Sequence, residues 1–591
     1  MQSSRRLGVH FLLPGCDAST VLFVLALAGT PLTAATITVT STQDALANNG
    51  ACTLREAIIA ANTNAPSGGA SGECPSGSSG VADTIVLPAG TLTLTLSGSE
   101  SSSSLNAAVG DLDITQSVTI KGQGKTATTV AATGLGARVF HVGGPTVAVS
   151  FADLGIAGGL STGDGGGIYF DEGVAMSVTR VALNGNQAVE GGALWATSSA
   201  DVTIADSTIT GNTASDGGGG GVNWSNCLGC GNTLSISAST IEGNQSIGFF
   251  PGGGGVLADG SIFTLTNTTI ADNSSQDNGG GMWVSESTFS ASASTISGNH
   301  TDEDGGGIYF DFPSASSVTN CTISGNSASG EGGGIAILSN DPVTFKHVTI
   351  VANTAFAGSA IGDGDNIALG NSIVAGTCAG TPATSLGGNV ESPGDNCGLH
   401  QTADQVAVTA GQLALGPLAG NGGTTGTHLP ATGSLAINTA RTVNCLPTDQ
   451  RGVVRPIGVA CDKGAVEVDP TPIGQTCSAD QDTLCLSNGR FKVEATYATP
   501  TSGSGVANTV ALTGDTGYLW FFNAANVEAV VKVLNACGVN SRYWVFAGGL
   551  TDVHVEITVT DTTTGAVKRY TNPQGTVWRT ITDTNAFATC P

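Results

Sequence analysis

The first chemistry this sequence offers is a column of carboxylates. Asp164, Glu190, Asp216, Asp304 and Glu331 each stand just before a run of glycines, and Asn278 takes that place before one further run. If the glycine runs stack, neighbouring carboxylates lie ~4.8 Å apart and next-nearest ones ~10 Å apart. Carboxyl pairs about 5–5.5 Å apart suit a retaining glycosidase, and pairs about 6.5–9.5 Å apart an inverting one. Acid–base work also needs something to push two pKa values apart. Residues at exposed corners have no such environment, so the column is expected to bind rather than to catalyse. Stacked carboxylates repel unless a cation screens them, and calcium accepts flexible rows of oxygen ligands. Asp302, Glu303 and Asp304, with Glu331 one coil later, make the densest acidic patch and are the candidate calcium ligands, the alternative being a solvated acidic corner with no bound metal.

Other chemistry has less support. A lyase needs a base beside a uronate, commonly Arg or Lys. Between 151 and 375 the cationic side chains are Arg180 and Lys346, which lie too far apart along the chain to share a site. Cys227-x-x-Cys230 has no second pair and no nearby His to complete a zinc site, so it reads as a clipped loop. No catalytic residue is assigned.

Composition narrows the partners. The chain has 591 residues, of which 87 are Gly and only 11% are charged, yet its net charge is −26. Such a surface offers no basic patch for nucleic acid or anionic lipid. An extracellular polysaccharide or a cell-surface component is the expected partner, and a monomer the expected state. Nothing after the N-terminus reaches the ~18 apolar residues of a membrane-spanning helix.

The carboxylates must be positioned by the glycine runs themselves. Gly165-Gly166-Gly167-Ile168 recurs as Gly191-Gly192-Ala193-Leu194, and again through Gly332-Gly333-Gly334-Ile335. Between these runs lies a second phrase whose asparagines are Asn186, Asn212, Asn244, Asn273, Asn299, Asn326 and Asn353. Their steps are 26, 32, 29, 26, 27 and 27 residues. A fixed period of that size marks a repeat architecture. Gly, Thr, Ser, Asn and Val are poor helix formers. Ile308 and Phe310 point one way and Tyr309 the other, as in a strand. Three short strands per coil predict a right-handed parallel β-helix. Triple glycine suits a tight corner. The asparagines are expected to take the left-handed conformation at the opposite corner and to bond one another in a ladder. Cys321 falls in an inward column with Ser207, Ser239, Thr268 and Ser294, so it reads as a small core residue.

These phrases resemble the repeats of bacterial polymorphic outer-membrane proteins over roughly 150–375. Cys52-Thr53-Leu54-Arg55-Glu56-Ala57 resembles the bacterial CSLREA motif, with Thr53 in place of Ser. That resemblance implies a secreted β-helix downstream. Leu54, Ala57, Ile58 and Ala61 share one helical face, so the stretch is expected to cap the first coil, with Arg55 and Glu56 in a cap salt bridge. Gly416 to Glu467 resembles the choice-of-anchor Q region and is expected to form the C-terminal cap, with Lys463 where relatives carry an apolar residue. Asp449 and Arg451 read as a buried ion pair there.

The expected organisation is a signal peptide (1–35), a cap with irregular first coils (36–150), regular repeats (151–375), terminal coils and cap (376–468), a linker (469–475) and a β-sandwich-like domain (476–591). The class is all-β. Cys52 is expected to pair with Cys74, Cys227 with Cys230, Cys378 with Cys397 and Cys445 with Cys461. Cys477, Cys485, Cys537 and Cys590 leave three pairings open. Such local spacing implies an oxidising compartment. The function expected is that of a secreted or surface-displayed bacterial solenoid for adhesion or glycan contact. The alternatives are a polysaccharide lyase or hydrolase, and a calcium-dependent glycan binder.

Overall fold

A computed structural model describes residues 33–590 apart from 99–104, 198–199, 226–230, 249–250, 261, 340, 363–365, 458, 469–475 and 500–502. The expected signal peptide, the Cys227–Cys230 clip and the linker therefore lie wholly or largely outside the described residues.

From Thr36 to Ser392 the chain winds into a right-handed parallel β-helix. Its coils build 13-, 10-, 12- and 6-stranded parallel sheets. The fourth sheet was not expected. It consists of two-residue strands such as Gln187–Ala188 and Thr213–Ala214, formed where the chain leaves the asparagine and bonds the next coil. Strands pair in register, so like stacks on like. Phe263 and Phe289, for example, are opposite each other with ring centroids 4.9 Å apart. Inward Ile, Leu, Val and Phe residues from Ile37 to Leu399 form one continuous core.

The corners explain the repeated residues. Gly305 opens its triplet at φ 72°, which a side chain would strain. At Gly306 a Cβ would lie 2.5 Å from the carbonyl oxygens of both Gly333 and Ser327. The asparagines do not take the left-handed conformation. The residue before each one does, as at Gly298 (φ 67°), Gly325 (φ 69°) and Asp272 (φ 52°). That turn sends the asparagine inward. There Asn299 donates its backbone N–H and its Nδ2 to Asn326 Oδ1, at 3.0 and 2.9 Å, and donates Nδ2 to Ile270 O at 3.0 Å. The ladder expected from the spacing is present. Cys321 is buried and free, and burial pushes its thiol up to about 12.

Helix α1 (Leu54–Thr63) lies against the first coil, with Thr53 and Glu56 closing a capping box. Arg55 does not pair with Glu56. Its Nε donates to Asp44 Oδ1 at 2.6 Å, and its remaining donors reach the carbonyls of Ala107, Gly110 and Asp111. The reason is local: Glu56 is already committed to the amides of Thr53 and Ala47.

The segment after the last coil does more than cap. Val408, Leu413 and Ala436 cover Ile373 and Val390. Lys463 is fully buried and donates Nζ to Asn389 O at 3.1 Å and Ala403 O at 2.7 Å. Burial pushes its pKa down to about 8. The chain also runs back along the flank of the 12-stranded sheet. Gln450 bridges Thr295 and Thr322, and His428 meets Ser324 at 2.8 Å. Asp449–Arg451 (2.7 Å) and Arg455–Glu467 (2.9 Å) are ion pairs inside this segment.

Residues from Leu484 to Phe587 form two five-stranded antiparallel sheets around a core of their own. Of the three pairings left open, the structure has Cys477–Cys485 and Cys537–Cys590. Cys52–Cys74, Cys378–Cys397 and Cys445–Cys461 are bonded as expected. Among the described residues, no helix is long and apolar enough to cross a membrane.

Candidate functional site

The 10-stranded sheet carries the residues with the most unusual surroundings. Its first strands are Leu112–Ile114, Phe140–Val142, Ile168–Phe170, Leu194–Ala196 and Val222–Ser225. Apolar residues at the first and third positions of each strand point into the core, so the second residue faces out. Register places Asp113 beside His141, His141 beside Tyr169, Tyr169 beside Trp195 and Trp195 beside Asn223.

This outward column is tightly coupled. Tyr169 stacks on Trp195 with centroids 4.8 Å apart, and His141 tilts against it at 5.0 Å. The Arg138 guanidinium lies 4.4 Å from the Tyr169 centroid. The faces of Tyr169 are thus used within the protein, and its hydroxyl meets Asp171 at 3.3 Å.

The acid column runs beside it. Asp164 and Glu190 are half-buried, and burial pushes both carboxyls above the usual range. This corrects the expectation of exposed corners with nothing to shift a pKa. The glycines that follow these acids lie tight against the aromatic column: a Cβ at Gly165 would lie 2.7 Å from that of Tyr169, and one at Gly191 2.6 Å from that of Trp195. Glu190 Oε2 accepts from Trp195 Nε1 at 3.2 Å and Asn223 Nδ2 at 3.0 Å. Asp216 is exposed.

Asp302, Glu303, Asp304 and Glu331 are not drawn together as a calcium site. Asp302 is exposed and lies 3.3 Å from His300 Nε2, while Asp304 Oδ1 accepts the backbone N–H of Glu331 at 2.6 Å. Glu303 is exposed. Sequence reading took Asn278 for this corner and missed its neighbour Asp277, which is buried with Oδ2 unpartnered.

Among the described residues, the one group of three or more His, Cys, Asp or Glu ligand atoms lying mutually within 4.8 Å is Asp111, Asp113 and His141. Sequence reading missed it. The signal was a polar residue in the middle of two short apolar strands, but pairing them needs a coil alignment that the irregular first coils hide. Arg138 lies before the regular repeats, outside the 151–375 stretch whose cations were weighed for lyase chemistry. Its Nε lies 3.3 Å from Asp111 Oδ2.

Residues 221–396 match the protein family described as "Right handed beta helix region". The chain carries a right-handed β-helix region. The Asp113–Trp195 column lies before the matched stretch. No curated protein matches the chain. Solved structures similar to it include pectate lyase Pel9A, at 13% identity and TM-score 0.36, covering 67% of this chain and 91% of that one. ORF18 of Geobacillus virus E2 aligns at 10% identity and TM-score 0.27, covering 83% and 69%. A mannuronic acid specific polysaccharide family 6 lyase from human gut microbiota aligns at 9% and 0.23, covering 51% and 82%. Likeness at these TM-scores carries no argument about activity.

Proposed function

We propose that this protein is a secreted or surface-displayed bacterial solenoid that binds an extracellular polysaccharide on the outward face of its first coils, in adhesion or display. The apolar N-terminal stretch, the five disulfides among the described residues and the CSLREA-like motif support export. The observation that carries the reading is the half-buried pair Asp164 and Glu190 beside Arg138, Tyr169 and Trp195. Partly dry carboxylates at corners held between paired strands accept paired hydrogen bonds from vicinal hydroxyls, and Arg138 adds a donor nearby. Tyr169 has no free face for a sugar ring, so recognition here rests on hydrogen bonds. With a net charge of −26, a neutral glycan is favoured over an anionic one.

Screening the protein on a glycan array, with and without calcium, tests this. Saturable binding of a neutral glycan, weakened at least tenfold by Asp164→Asn with Glu190→Gln, is expected. Binding unaffected by that double substitution would place the site elsewhere. Cleavage of an acidic polysaccharide is the second reading. One observation favours it: a cation, a histidine and a carboxyl with raised pKa (Arg138, His141 and Asp113) meet in one patch. New ultraviolet absorbance from unsaturated sugar ends would reveal that activity.

A further inference from the structure

We propose that Asp111, Asp113 and His141 bind a first-row divalent transition metal, zinc or manganese, in the first coils of the solenoid. Each residue offers one ligand atom, and the three atoms lie mutually within 4.8 Å. All three residues are at least nine-tenths buried, with 4%, 1% and 5% exposure. A buried polar atom without a partner is costly and calls for an explanation. Here two occur together: Asp111 Oδ1 and Asp113 Oδ1 accept no hydrogen bond. His141 Nδ1 approaches Asp113 Oδ1 to 3.1 Å, yet that oxygen receives no aligned N–H. Two ligands of one metal ion sit about that far apart, since metal–ligand bonds are ~2.0–2.2 Å.

The donor set selects the ion. Calcium takes six to eight hard oxygens, whereas one imidazole with two carboxylates suits zinc, manganese and their neighbours. A divalent ion beside two carboxylates and Arg138 leaves a small net charge. Three protein ligands leave a coordination position for water or a ligand oxygen.

The surrounding contacts hold the ligands in place. Asp113 Oδ2 accepts the backbone N–H of Asn106 at 2.8 Å, and Asp111 Oδ2 faces Arg138 Nε. Outer partners of this kind orient metal ligands. Helix α1 fixes the strand that carries Asp113 and the residues just before it, Asp111 included. Arg55 grips the carbonyls of Ala107, Gly110 and Asp111, and Asn62 Nδ2 donates to Asp113 O at 2.7 Å. Helix α1 therefore positions the proposed ligands as well as covering the core.

The test uses the full-length protein, stripped with a chelator and titrated calorimetrically with zinc, manganese and calcium chlorides. One saturable site for zinc or manganese is expected, with calcium at least a hundredfold weaker. Asp113→Asn with His141→Gln should abolish it, and Asp304→Asn with Glu331→Gln should leave it intact. Wild-type protein loaded with cobalt gives a check that needs no variant, because nitrogen and oxygen ligands produce visible d–d bands distinct from aqueous cobalt. A folded wild type with no saturable zinc, manganese or cobalt binding would overturn the proposal. So would unchanged binding in a folded Asp113→Asn, His141→Gln variant. In either case the cluster is an acid–imidazole pair sharing a proton. Glycan binding does not enter this experiment, so its result is independent of the function proposed above.

Discussion

The solenoid holds two columns of polar groups, one inside and one on its outward face, and they are built in opposite ways. The asparagine ladder inside repeats the same residue in successive coils and satisfies the amide at each rung: Asn299 bonds Asn326, and Asn326 bonds Asn353 in the same geometry. The outward column changes residue at every step, through Asp113, His141, Tyr169, Trp195 and Asn223, and it starts from a cluster with unpaired atoms. Both columns ride on the same strand spacing. Repetition in this protein serves the fold. Where a column departs from repetition, the stacking of like on like no longer accounts for its residues.

Substitutions in the two columns should therefore differ in kind. The largest effect is expected at the inner corner. Gly306→Ala puts a Cβ 2.5 Å from two backbone carbonyl oxygens, and neighbouring coils cannot yield without breaking their own pairing. A loss of about 3 kcal/mol or more is expected, at or above the usual range for overpacking. Denaturant unfolding, followed by the loss of β signal in circular dichroism, measures it. A loss under about 1 kcal/mol would mean that the coils are more compliant than their register implies. Asn299→Ala comes next. It strands the Asn273 amide and the Ile270 carbonyl in the core, at about 1–3 kcal/mol for each buried group left unpaired. If solvent enters and repairs the rung, the loss will be smaller and backbone hydrogen exchange near Asn273 will rise.

The same contrast explains what could be read from the sequence. Periodic residues declared the coil, the core positions and the inner ladder, because each repeats in register. Cys321 was legible as core for the same reason. The fourth short strand was not, since two residues carry no pattern of their own. Nor was the run of residues 416–468 back along the flank, where Gln450 and His428 meet Thr295, Thr322 and Ser324 across more than 100 residues of chain. The acid column was visible, but its environment was not. Asp164 and Glu190 are half-buried in the first regular coils, and spacing says nothing about which rung is dry. Asp113 and His141 lie within the stretch expected to form irregular first coils, and their pairing depends on a coil alignment that those coils do not supply.

The smallest effect expected is at Glu190, and it tests whether the outward column is tuned for something other than stability. Burial, opposed by the hydrogen bond from Trp195, leaves the Glu190 carboxyl above its usual pKa. The folded state therefore binds this proton more tightly than the unfolded chain does. By linkage, stability is greatest while the group is protonated in both states, and it falls as pH rises through the unfolded carboxylate range toward the raised folded value. Above that window the cost is constant. Glu190→Gln keeps an oxygen that can accept from Trp195 Nε1 and Asn223 Nδ2 and removes the charge. The variant should match wild type at low pH and exceed it at neutral pH by about 1 kcal/mol or less, because solvent screens a half-buried group. Melting temperatures across the acidic to neutral range measure this directly. A variant less stable than wild type at neutral pH would show that the ionised carboxylate supports the fold, and the outward column would then be the same kind of structure as the ladder inside.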